Sequence, residues 1–266
     1  MEGMNGWVRD ISGYVRRTGA PAEAADREKT ADFKALMEDG SAQAVRAMAL
    51  AMMEEVEVLD DYVGILASLD AERISHLRDM LWDEDQPERH AAALALVFAE
   101  EPVALDVLME ALEGGDATVR SQAMNVLTIK PGSRAEEAAF RHLHDEFPLV
   151  REYAVSIPGG SAREEYRGAL QAALSDSWEG VQVKAAAALA KMGDVDALEA
   201  LRRFANKSKE PNIRLEALAA LARMGDESAV EVLYGLADGE EGSEEKTIAR
   251  SKLRSLGLRP GPDRQI

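Results

Sequence analysis

The fold is indicated by residues 181–194, VQVKAAAALAKMGD, because a closely similar stretch, IRLEALAALARMGD, follows at residues 213–226. The two stretches match at a step of 32 residues, which takes Gly193 to Gly225. Each stretch joins a run of helix-forming Ala and Leu to a Gly-Asp pair, which suits a turn between two helices. A step of this length is typical of repeat proteins in which each unit is one pair of helices.

The repeat extends over most of the chain. The first helix of each unit, helix A, carries a small residue at one constant position: Ala92, Ala123, Ala154, Ala185, Ala217 and Ala249. The second helix, helix B, repeats a mostly Leu position: Leu77, Leu108, Ala139, Leu170, Leu201 and Leu233. One such pair cannot bury its apolar face alone, so neighbouring units must stack. The sequence therefore predicts an all-α fold, an α-solenoid (superhelix) of about seven helix-turn-helix repeats.

Domain boundaries follow from where this pattern begins and ends. Residues 1–22 are predicted to hold an amphipathic helix, with Trp7, Ile11 and Tyr14 at helical spacing, that caps the open end of the stack. Residues 23–257 are predicted to form the solenoid. Residues 258–266, which include two prolines and a glycine, are predicted to be a disordered tail.

The composition disfavours several functional classes. The chain has 49 acidic and 31 basic residues and a formal net charge of −18. Nucleic acids and anionic membrane surfaces both need a basic face, so neither is an expected partner. No apolar run reaches the length of about 20 residues that a membrane-spanning helix needs. We therefore expect a cytoplasmic protein.

The sequence offers little for catalysis. It contains no Cys, which excludes disulfides, thiolate metal sites and a Cys nucleophile. Its four histidines are His76, His90, His142 and His144. His142 and His144 are two positions apart, so on a helix they point to different sides and cannot chelate one ion together. The sequence favours a non-enzymatic protein, and we predict no catalytic residue, no metal and no cofactor.

An acid precedes an Arg of helix A by four positions in three units: Asp85 before Arg89, Asp116 before Arg120 and Glu210 before Arg214. This spacing suits an acid at the helix start that pairs with an Arg one turn later. The arginines could alternatively form a ladder for ligands. We favour pairing that holds the stack together.

One column of helix B has the residue types of a binding surface. Consecutive helical residues are rotated by about 100°, so the residues that follow the Leu column are expected to leave the core and face a groove. Arg, Met and aromatic residues are enriched in protein interfaces. This predicted helix-B stripe consists of Arg78, Met109, Phe140, Gln171, Arg202 and Tyr234, with Trp82 and His144 in a secondary stripe. The alternative is that Met109 and Phe140 belong to the core between repeats.

The repeat motif resembles HEAT-like repeats of the phycobilisome-lyase type. The motif is an acid, then Val/Ile-Arg, then Ala-x-x-Ala-Leu-x-x-Met-Gly-Asp, and it is clearest over residues 176–257. The resemblance implies a right-handed α-solenoid with A helices on the convex side and B helices lining the concave groove. Some members of the family attach or remove bilin chromophores, and others are protein-binding scaffolds.

These observations together predict a scaffold or adaptor that holds a protein or peptide in the concave groove of the solenoid. One alternative is a phycobilin-lyase-like accessory protein that handles a tetrapyrrole. The other is an AlkD-like HEAT protein that binds nucleic acid, against which the net charge of −18 argues.

Overall fold

The computed structural model describes residues 41–54, 66–100, 102–114, 116–161, 163–240 and 242–260, and all regular secondary structure in these ranges is helical. The predicted capping helix at residues 1–22 lies outside the described residues. So does all of the predicted tail except residues 258–260, which are not helical.

Thirteen α-helices and one 3₁₀ helix account for this secondary structure. In chain order the α-helices are α1 Ala42–Glu54, α2 Ala71–Leu81, α3 Gln86–Phe98, α4 Pro102–Glu113, α5 Ala117–Leu127, α6 Ser133–Arg141, α7 Pro148–Ser161, α8 Arg167–Ala173, α9 Glu179–Lys191, α10 Val195–Lys207, α11 Pro211–Arg223, α12 Glu227–Ala237 and α13 Glu244–Ser255. The 3₁₀ helix Glu164–Tyr166 directly precedes α8. Odd-numbered helices are the A helices of the sequence pattern, and even-numbered helices are the B helices.

The helices divide into two compact units, with the boundary after Ala138, inside α6. The N-terminal unit holds α1 to α5 and the first part of α6, and the C-terminal unit holds the helices from the end of α6 to α13. Within each unit, an A helix packs against its own B helix and against the A helix of the next repeat. The predicted all-α, solenoid-type stacking of helical pairs is confirmed within each unit.

The turn chemistry explains where the helices of the C-terminal unit end. Gly193 has a φ of 83° and Gly225 a φ of 87°, the left-handed conformation that glycine adopts without steric cost. The next residue in each turn, Asp194 or Asp226, caps the following B helix. Asp194 Oδ1 accepts a hydrogen bond from the backbone N–H of Ala197 at 3.1 Å, and Asp226 does the same one repeat later. The predicted Gly-Asp turn is therefore present.

The A helices of the C-terminal unit lie close together because their contact residues are small. Ala185, Ala217 and Ala249 are fully buried. Helices α7, α9, α11 and α13 contact one another in succession, whereas the described B helices of this unit contact mainly A helices. Side chains of one carbon let two backbones approach, so the A helices form a tightly spaced layer.

The arginines of helix A bind the loop that precedes their own helix. Arg89 Nη1 donates to the carbonyl oxygens of Asp83 and Glu84 at 2.7 and 2.9 Å. Arg151 and Arg214 donate in the same way to the loop residues five and six positions earlier. These guanidinium groups reach past the first turn of their own helix and satisfy loop carbonyls.

Two of these arginines also reach the next repeat. Arg151 Nε and Nη2 donate to the carboxylate of Asp176 at 2.8 and 2.9 Å, and Arg214 pairs with Glu245. The hydrogen bonds from Arg151 hold the pKa of Asp176 below its usual value. These arginines therefore join successive repeats of the C-terminal unit.

Candidate functional site

A groove of about 190 Å³ crosses three successive A helices of the C-terminal unit, α7, α9 and α11. We call it the helix-A groove. Its floor is apolar and is formed by residues of small or moderate size, and its rim carries three cations and one hydroxyl. The lining residues are Val155, Ser156, Lys184, Ala187, Ala188, Lys191, Ala220, Arg223 and Met224.

A buried ion cluster supports one side of this groove. Glu216 of α11 is only 6% exposed, and its two carboxylate oxygens accept from different lysines, Oε1 from Lys184 of α9 and Oε2 from Lys252 of α13. Burial alone would raise the pKa of Glu216. The charges of Lys184, Lys252 and Arg223 outweigh burial and hold this pKa well below its usual range, so Glu216 is ionised.

Two of the three rim cations, Lys191 and Arg223, occupy equivalent positions in successive repeats. Lys191 and Arg223 are 32 residues apart, and each is in the last turn of its A helix. A cation in the last turn is stabilised by the helix dipole. Arg223 also donates from Nη2 to Ser255 Oγ of the next repeat at 3.3 Å. The contact with Ser255 holds Arg223 at the edge of the groove.

A second buried acid of α7 is engaged away from the groove lining. Glu152 is 3% exposed, and its Oε2 accepts from the indole Nε1 of Trp178 at 3.1 Å. Gly180 allows this contact, because a Cβ on Gly180 would lie 2.1 Å from Glu152 Oε2. Trp178 itself is 46% exposed beside the start of α9. The acid thus ties α7 to α9.

The predicted helix-B stripe lies on B helices, as its spacing implied, but its members are not equivalent. Arg78, Phe140, Gln171 and Arg202 are exposed, and Met109 is partly exposed. Tyr234 was expected to be exposed, and this prediction is wrong, because only 4% of the residue is exposed. Helix α12 packs against both α11 and α13, and α10, which carries exposed Arg202, likewise packs against two A helices.

The groove therefore differs from the one that the resemblance implied. Its lining includes no residue of the helix-B stripe, and it lies on the A helices. No prediction from the sequence included Lys184, Lys191, Arg223 or Glu216. The signal was present in the opening repeat, where Lys184 aligns with Glu216 and Lys191 with Arg223.

The exposed arginines of the stripe already have partners. Arg78 donates from Nε and Nη2 to Glu110 at 3.1 and 2.6 Å, and its guanidinium carbon lies 5.4 Å from the ring centroid of Trp82. The hydrogen bond from Arg78 lowers the pKa of Glu110. Arg202 Nη2 lies 3.8 Å from Asp226 Oδ2. These pairs tie neighbouring repeats and compete with any ligand for the guanidinium groups.

Three further predicted site residues are exposed away from the helix-A groove. Phe140 is 47% exposed, and its ring centroid is 5.8 Å from that of buried Tyr166. Trp82 is 41% exposed, and His144 is exposed. None of these side chains lines the helix-A groove.

Among the described residues, no cluster of three or more His, Asp or Glu side chains could hold a metal ion. His90 is buried, and burial lowers its pKa to about 4, so it is a neutral part of the core of the N-terminal unit. No helix in the described ranges is long and apolar enough to cross a membrane.

Family models match two parts of the chain. A model described as HEAT repeats matches residues 136–210 and 168–254. A model described as PBS lyase HEAT-like repeat matches residues 88–114. A comparison with curated proteins finds no match.

Solved structures are similar to this chain at low sequence identity. The complex of CpcE and CpcF of phycocyanin lyase from Nostoc sp. PCC7120 is similar with a TM-score of 0.54 and 20% identity, over 79% of this chain and 86% of that chain. Human deoxyhypusine hydroxylase in complex with glycerol gives a TM-score of 0.40 and 20% identity, over 94% of each chain. An engineered protein gives a TM-score of 0.35 and 21% identity, over 69% of this chain and 95% of that chain.

Proposed function

The chain is a HEAT-repeat protein, and from this premise we propose that it is a non-enzymatic scaffold or adaptor that holds a segment of another protein in the helix-A groove. The observation that carries the proposal is the groove itself, an apolar floor of Ala and Val under a rim of cations. An apolar centre inside a polar rim is the usual composition of a protein-binding surface.

The lining of the groove also favours binding over catalysis. It contains no His and no carboxylate, so it has no Ser-His or Ser-carboxylate pair. Ser156 Oγ donates to the carbonyl oxygen of Glu152 within its own helix, at 2.9 Å. Lys184 is bound to Glu216. The polar groups of the groove are thus placed for holding a ligand in position.

A site-specific photocrosslinker tests this proposal. p-Benzoylphenylalanine replaces Ser156 at the groove edge in one variant, and exposed Glu199 of α10 in a control variant. After irradiation in host cells we expect a discrete protein adduct from the first variant only, and its loss when Ala187→Phe fills the groove. An adduct of equal yield from both positions, or none from the groove position, would refute the proposal.

The exposed residues of the helix-B stripe are predicted to form a second binding surface, and this stays a prediction. The same experiment with the crosslinker at exposed Gln171 examines it. A partner that crosslinks from Gln171 and not from Ser156 would move the binding site to the B helices.

A tetrapyrrole is a second candidate ligand, favoured by the PBS lyase HEAT-like match at residues 88–114. Its carboxylates would meet cations in the groove, and its rings would meet the apolar floor. The test is the absorption spectrum of a bilin titrated with the protein. A spectrum that shifts with wild type and not with Ala187→Phe supports this candidate, and an unchanged spectrum removes it.

A further inference from the structure

We propose that the segment held in the helix-A groove is acidic, and that its carboxylates pair with Lys184, Lys191 and Arg223 while its small side chains rest on the Ala floor. This inference rests on the proposed function and names the chemistry of the partner. It is independent of the predicted helix-B stripe.

The first argument is the contrast between the groove and the rest of the chain. Acids outnumber bases by 49 to 31, yet the charged residues that line the groove are all basic. A basic site on an acidic chain attracts an anionic segment locally. The surrounding negative charge then repels any anion that does not fit the groove.

The second argument is the charge balance beneath the groove. One buried carboxylate, Glu216, is surrounded by Lys184, Lys252 and Arg223. The cluster therefore places three basic groups beside one acid. Both oxygens of Glu216 accept from lysines, and two of the three cations, Lys184 and Arg223, also line the groove.

The third argument is spacing. Lys184 and Lys191 are seven positions apart on α9, which places their Cα atoms about 10 Å apart along the helix. In a polyproline II peptide, which has three residues per turn and a rise of about 3.1 Å, residues three positions apart lie on the same face and are separated by about 9 Å. A segment with acids at every third position therefore matches two of the rim cations, with small residues between them over Ala187 and Ala188.

The lining argues against nucleic acid as the anion. It contains no aromatic side chain. Proteins that bind single strands stack the bases on such side chains. A groove of about 190 Å³ with a floor of Ala and Val suits peptide side chains better than nucleobases.

Fluorescence anisotropy with the full chain tests the inference. The probes are a fluorescein-labelled nine-residue peptide with Glu at every third position and Ala elsewhere, the same peptide with Gln for Glu, and a single-stranded oligothymidylate. The proteins are wild type, the groove variant Lys191→Glu/Arg223→Glu, and the control Arg203→Glu/Lys207→Glu. The control makes the same charge change on exposed residues of α10. Far-UV circular dichroism checks that all three are equally helical.

We expect the Glu peptide to bind wild type and the control alike, and the groove variant to bind it about tenfold or more weakly, because two ion pairs are lost and repulsion replaces them. The Gln peptide should bind poorly. Equal binding of the Glu and Gln peptides, an equal loss in the control, or preferential binding of the oligothymidylate would overturn the inference.

The two proposals fail in different ways. If the crosslinker at Ser156 captures a partner while the Glu peptide does not bind, the scaffold function stands and the acidic chemistry is wrong. If the Glu peptide binds and no adduct forms, the groove binds anionic peptides but no resident partner, and the scaffold function is wrong. If both experiments give nothing, both proposals are wrong.

Discussion

The substitution Glu216→Gln is expected to lower the free energy of unfolding by about 3 kcal/mol, because it leaves two lysines around an uncharged side chain. The side chains of Glu216, Lys252 and Lys184 are 8%, 10% and 23% exposed. Removing one partner of a buried ion pair costs about 3–5 kcal/mol. We expect the lower end of this energy range for two reasons. Lys184 borders the groove and can turn toward water, and the Gln oxygen still accepts one hydrogen bond.

Urea unfolding at pH 7, followed by circular dichroism, measures this loss. The control is Glu199→Gln on the exposed surface of α10, which should change stability by less than about 0.5 kcal/mol. In a second variant, Glu216→Leu/Lys252→Leu, much of the lost stability should return, because apolar pairs replace buried charges well. A loss below about 1 kcal/mol for Glu216→Gln would refute the reasoning, since the ion cluster would then be solvated rather than buried.

Three further predictions concern pH and glycine. The folded-state pKa of Glu216 lies well below its ordinary value of 4.5, so the contribution of Glu216 to stability is present above that value and is lost as pH falls toward the folded-state pKa. The difference in stability between wild type and Glu216→Gln should therefore narrow in urea titrations below pH 4.5, and a constant difference would contradict this. Gly193→Ala should lower the free energy of unfolding by about 1 kcal/mol, because φ is 83° at that position. Gly235→Ala, inside α12 with open space around it, should raise the free energy of unfolding by about 0.5 kcal/mol. Thermal unfolding distinguishes the expected loss of stability from the expected gain. Gly180→Ala should cost about 1–3 kcal/mol and change Trp fluorescence, because the new Cβ would displace the Glu152 carboxylate; unchanged fluorescence with unchanged stability would contradict the close packing.

The helices and their turns could be predicted because they depend on neighbours in the sequence. The run of Ala and Leu before Gly193 favours a helix, and the Gly-Asp pair both ends that helix and caps the next. The repeat of this stretch at 32 residues then implied stacking, since one pair alone cannot bury its apolar face.

The binding surface was predicted less well, because the exposure of a side chain depends on how its neighbours in the folded chain cover it. Tyr234 follows a buried Leu and was expected to face a groove, but only 4% of it is exposed. Phe140 holds the equivalent position on α6 and is exposed. The two residues have the same register, so no periodicity could separate them.

The sequence by itself determined that the protein is all-α, that its unit is a helical pair, and that Gly-Asp pairs end two of the A helices, because these features follow from contacts within about one repeat. Only the tertiary structure decided that Lys184, Glu216 and Lys252 form one ion cluster under a groove across the A helices. The pKa of a carboxylate depends on burial and on nearby charge, and both arise when distant repeats pack together.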